Sequence, residues 1–165
     1  MREFLVRSTP YGKSLSLYFI PKDSASLSFI NPDLIKKLYA WNDSGSEANC
    51  YWTSMFGLGE VSLPERFMDI DEYLTRVAGP SFAGVDGDSP IFPGDVIRLK
   101  RARGNMELHS VIYLGRQRGS ESQAIVLTKN GPGDGPYLIM NLYDLQMRVY
   151  PSAFIAGIYR KIQTR

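Results

Sequence analysis

With 165 residues, one cysteine and one histidine, the chain excludes an internal disulfide and a structural zinc site of four nitrogen or sulfur ligands. Hydrophobic residues at 44% against 22% charged describe an ordinary globular chain, which predicts one domain over 1–165 with a single core. A net charge of +2 is too small to imply a nucleic-acid partner, no run approaches the roughly 18 apolar residues of a membrane span, and MREFLVRSTP lacks the parts of a secretory signal.

Residues 1–30 predict an N-terminal β extension, with FLVRST and LSLYFI alternating around PYGKS as a hairpin or two edge strands. Asn31-Pro32-Asp33 then supplies an N-cap, an N1 proline and an early acid ahead of Leu34, Ile35, Leu38 and Tyr39, so a helix runs to about Trp41. A short second helix starts near Asn49 and stops at Gly57 or Gly59. Its Trp52, Met55 and Phe56 are spaced to bury one stripe. Ser62-Leu63-Pro64-Glu65 has capping-box spacing before Phe67, Ile70, Leu74 and Val77, which predicts a third helix to Gly79, with Asp69, Asp71 and Glu72 on its solvated face. Residues 82–94, FAGVDGDSPIFPG, read as a loop. From Asp95 the runs DVIRLK, MELHSVIYLG, QAIVLTKNG, PYLIMNL and FIAGIYRKI predict four or five antiparallel strands. Arg98, Lys100, Arg101 and Arg103 cluster at what reads as a solvated hairpin tip. Helices followed by a sheet make an α+β fold, with its core over 31–161.

Two residues stand out chemically because each is the sole member of its type. Cys50 falls at the first position of the second helix, where unpaired backbone N–H groups favour a thiolate. The competing reading is a small buried hydrophobe. On its strand, His109 shares a face with Glu107, Val111 and Tyr113, while Leu108, Ser110, Ile112 and Leu114 take the other. A hairpin centred between Gly119 and Ser120 pairs residue i with residue 239 − i, which sets His109 opposite Asn130. Directly opposite side chains have Cβ atoms ~4.5–5.5 Å apart, within reach of an amide oxygen accepting the imidazole N–H. A slip of two residues sets Thr128 there instead, and Asn130 also reads as a turn residue before Gly131. Cysteine, histidine and asparagine thus occur in the order and settings of nucleophile, base and orienting group.

A cysteine opening a helix, then GDVIRLK, then a histidine strand ending IYLG, then TKNG together resemble the NlpC-type branch of the papain-like cysteine peptidases and amidases over roughly residues 31 to 161. The resemblance implies a helix packed on an antiparallel sheet of about five strands. It also implies hydrolysis of peptide or amide bonds, among them those of bacterial cell-wall peptides. Cys50 would be the nucleophile, His109 the base and Asn130 the third member, with Tyr39 assisting the oxyanion. The implied chemistry is acyl transfer through a thioester, with no metal or organic cofactor. This chain has Asn49-Cys50-Tyr51-Trp52 where the family commonly has Asp-Cys-Ser-Gly, so Tyr51 and Trp52 would shape the substrate cleft, and Leu108 replaces a common glycine. The competing functions are a non-catalytic binding module on the same fold and an acyltransferase, transglutaminase or deamidase with the same triad. GPGDGP at 131–136 lacks the lysine and Ser/Thr of a phosphate loop and reads as a turn.

Overall fold

The computed structural model of the chain describes residues 3–5, 16–18, 47–61, 67–104, 106–116, 124–131 and 137–162. The expected helix from Asn31 to Trp41, Tyr39 with it, the Ser62–Glu65 capping box and most of GPGDGP lie outside those residues. Strands β1 (Glu3–Leu5) and β2 (Ser16–Tyr18) form an antiparallel pair, as the alternation around PYGKS predicts.

Helix α1 (Cys50–Gly57) begins where Asn49 caps it, the Asn49 Oδ1 accepting the Trp52 N–H at 3.0 Å. Every residue from Cys50 to Met55 is buried. The expected single apolar stripe is therefore corrected to a helix enclosed all round, because aromatic side chains and the sheet cover both of its sides. Gly57 lies tight against the sheet, since a Cβ there would stand 2.5 Å from Ile112 Cδ1. Helix α2 (Ile70–Val77) is capped by Asp69, whose carboxylate accepts the Glu72 N–H at 2.7 Å. Residues 67–69 are not helical and Phe67 is exposed, so the start of this helix moves from Ser62 to Ile70. Tyr73 and Val77 turn inward, whereas Glu72 pairs with Arg76 outside.

The six-stranded sheet contains β3 (Phe82–Gly84), β4 (Val96–Arg101), β5 (Glu107–Arg116), β6 (Ala124–Lys129), β7 (Tyr137–Asn141) and β8 (Ala153–Lys161). All neighbours are antiparallel, in the order β3-β8-β4-β5-β6-β7. The fold class is α+β. Strand β3 falls inside the expected loop 82–94, where three residues are too few to produce a readable alternation. Between β7 and β8, a turn of helix α3 (Leu142–Asp144) widens into a π-helical turn, Leu145–Val149, that the sequence reading did not assign. No helix among the described residues is long and apolar enough to cross a membrane.

Each face of the sheet carries a core. Val96, Ile112, Leu114, Ile125, Leu127 and Ile139 meet α1 and α2, while Ile97, Leu99, Val111, Tyr113, Val126, Leu138 and Met140 meet Leu142 and Leu145. The expectation that β5 is covered on both sides holds. One irregularity matters for the site. Leu99 pairs with His109 but Lys100 pairs with Glu107, so Leu108 is an extra residue, a β-bulge. Glu107 is thereby moved off the face of His109 and onto that of Arg98 and Lys100, whose cations it bridges at 2.9 and 3.1 Å. Strict alternation had placed Glu107 with His109. The extra residue reverses it.

Candidate functional site

Asn49 anchors the start of α1 with its whole side chain. While Oδ1 caps the helix, Nδ2 donates to the Met68 carbonyl at 2.7 Å, and Thr53 Oγ1 returns a hydrogen bond to the Asn49 carbonyl at 2.8 Å. Cys50 follows at the first helical position, as expected, yet its side chain is enclosed in the core. Burial pushes the thiol up to about 12, against the opposing pull of the backbone N–H groups of Ser110, Tyr51 and Cys50 itself. Desolvation exceeds the benefit of the helix end.

Tyr51 stacks on Tyr73 with centroids 4.6 Å apart, and Trp52 on Phe56 at 4.5 Å. Both residues expected to line a cleft are thus packed within the protein. Burial, and then the nearby Cys50, push the Tyr51 hydroxyl well above its ordinary range. Beneath them lies a hydroxyl cluster that the sequence reading did not single out. Ser110 Oγ is 2.8 Å from Ser54 Oγ and 2.9 Å from Tyr73 OH. A hydroxyl carries one proton, so Ser110 donates to one neighbour and accepts from the other. Its signal was a lone polar residue among Leu108, Ile112 and Leu114 on one expected face of the strand.

Because Ser110 turns toward α1, its neighbour His109 turns away, to the face of Val111 and Tyr113. The imidazole lies against the Tyr150 ring at 4.5 Å, and its Nε2 is hydrogen-bonded to Thr128 Oγ1. No hydrogen bond joins Cys50 to His109 among the described residues. Burial lowers the His109 pKa to about 3, so the ring is neutral throughout the ordinary pH range.

The register expected for β5 and β6 is present where the two strands pair, with Ile112 opposite Leu127 and Tyr113 opposite Val126, both summing to 239. The strand pairing stops short of His109, however. There the ring finds the diagonal residue Thr128 in place of the directly opposite Asn130, which corrects the expected partner. Asn130 Oδ1 is buried without a hydrogen-bond partner, as are Glu107 Oε2 and Arg98 Nε. No group of three or more His, Cys, Asp or Glu side chains suited to a metal occurs among the described residues.

No protein-family model, curated protein or solved structure matches this chain. Its functional reading therefore rests on the arrangement of these residues.

Proposed function

We propose that this chain is a non-catalytic binding module, built on a fold of the NlpC-type, papain-like kind and carrying its cysteine as a neutral core thiol. The observation that carries the reading is the separation of Cys50 from His109: the sulfur belongs to the α1 core, and the ring is engaged with Thr128 and Tyr150 on the other face of β5. A thiol of high pKa and a histidine of low pKa favour the uncharged pair, which is the inactive protonation state for thiolate chemistry.

A second reading is favoured by one specific feature. Three backbone N–H groups, those of Ser110, Tyr51 and Cys50, bear on the sulfur at a helix N-terminus. That arrangement supports a cysteine hydrolase of peptide or amide bonds, peptidoglycan fragments included, or an acyltransferase or deamidase, if the helix end and β5 open so that His109 reaches Cys50.

The pH profile of iodoacetamide alkylation separates the two. For the binding module, Cys50 labels negligibly at pH 7 and measurably only above about pH 9 without denaturant. Rapid labelling at pH 7 that His109→Ala abolishes would instead establish an activated thiol and overturn the proposal.

A further inference from the structure

On the His109 face of the sheet, the β4–β5 turn and the turn after the π-helical segment enclose a groove of about 380 Å³, a volume suited to a small ligand. Its lining combines Arg101 and Arg103 with Leu108, Val149, Tyr150, Pro151 and Ser152. We propose that this groove binds a small phosphate monoester with a flat aromatic body, the phosphate on the two guanidinium groups and the body on the apolar wall.

Charge complementarity selects the anion. Arg76, Arg98, Lys100, Arg148, Arg160 and Lys161 all bridge carboxylates. Arg101 and Arg103 have no acidic partner among the described residues, since the nearby Glu107 is held by Arg98 and Lys100. Two forked cations lining one groove suit the oxygens of a phosphate. They are too few for a nucleic-acid track, which typically engages about 6–10 phosphates.

The opposite lip carries a second indication. Tyr150, Pro151, Ser152 and Ala153 form a tight turn closed by the Ala153 N–H to the Tyr150 carbonyl at 3.0 Å, and Ser152 has φ 73°. Glycine would take that conformation without strain, whereas serine is strained there and sits in the groove lining. The Ala102 N–H donates to the Ser152 carbonyl at 3.1 Å and ties the two lips together. The Tyr150 ring lies against His109 with centroids 4.5 Å apart, so the aromatic wall is backed by a buried side chain.

The inference deepens the binding-module reading by naming a ligand class, and its test does not depend on the thiol. Adenosine 5′-monophosphate, 4-nitrophenyl phosphate, adenosine and inorganic phosphate are titrated into the full chain, with heat and the amide signals of Ala102 and Ser152 as readouts. At least one of the two monoesters is expected to bind with a dissociation constant below about 1 mM, at least about tenfold tighter than inorganic phosphate and adenosine. Arg101→Gln with Arg103→Gln should remove at least about tenfold of that affinity with the far-ultraviolet spectrum unchanged, and Ser152→Gly should weaken binding while raising stability. The proposal is overturned if neither monoester shifts the two amides at about 5 mM, if the double variant binds as the parent does, or if a single-stranded oligonucleotide binds far more tightly with a steep salt dependence. Cys50 alkylation reads the thiol separately, so failure of this groove and failure of the binding-module reading give different results.

Discussion

At the scale of single residues, the chemistry of this protein is governed by burial more than by residue type. For His109, the ordinary pKa of 6.5 falls to about 3 in the folded chain. The unfolded chain therefore takes up a proton first as pH drops, and the contribution of His109 to stability is complete above about pH 6.5 and lost between there and pH 3, at up to about 1.4 kcal/mol per pH unit. Chemical denaturation at stepped pH should show this slope, and His109→Gln should flatten it. For Cys50 the sign is opposite. Its protonated form is preferred in the fold, so stability should fall as pH rises from 9 toward 12, and Cys50→Ala should remove that contribution. Ser110→Ala leaves the buried Ser54 and Tyr73 hydroxyls short of a partner and should cost about 1–3 kcal/mol. Combining it with Tyr73→Phe should cost less than the sum of the two single changes, as a double-mutant cycle would measure. The sequence made Cys50 and His109 visible because each is alone of its kind. It could not make their separation visible, because which face a strand residue takes depends on pairing partners many positions away.

Among the elements, the Asn49 cap and most strands were legible, whereas the Asp69 cap and the irregularities were not. Asn49 is recognisable as a helix start from its place before a hydrophobic run, and it holds both the helix and the Met68 carbonyl. Asn49→Ala should lower stability by about 2 kcal/mol, more than an exposed cap would, since the Met68 carbonyl also loses its donor. Thermal unfolding would check it against Asp69→Ala, which removes a cap alone and should cost about 1 kcal/mol. Five of the six strands in the main sheet follow from alternation and turn residues. Strand β3 and the π-helical turn do not, since the first is too short to show a period and the second is held by packing of Leu145 and by the Tyr150 N–H to the Leu145 carbonyl at 2.9 Å. The β5–β6 register was readable at Ile112 and Tyr113 from symmetry about one loop, but the geometry past the last paired residues belongs to the tertiary structure.

For the whole molecule, order in the sheet predicts where stability resides. Strands β4 and β5 have neighbours on both edges and cores on both faces, while β3 is a three-residue edge strand. Native-state hydrogen exchange should find the amides of Ile97, Val111 and Ile112 opening only with global unfolding, and those of Phe82–Gly84 opening earlier. Trp52, nearly inaccessible and stacked on Phe56, should emit at short wavelength in the native protein and shift to the red in the same cooperative transition. The bulge at Leu108 also has a consequence for descent. Removing that one residue would make Glu107 and His109 adjacent in the strand and so keep them on opposite faces, the carboxylate still toward Arg98 and Lys100 and the imidazole still on Thr128. The separation of this carboxylate from the chain's only imidazole would thus outlast the bulge. What such a deletion would take away is Leu108 from the groove wall, so descendants that lose this residue should keep the histidine's chemistry and lose part of the groove.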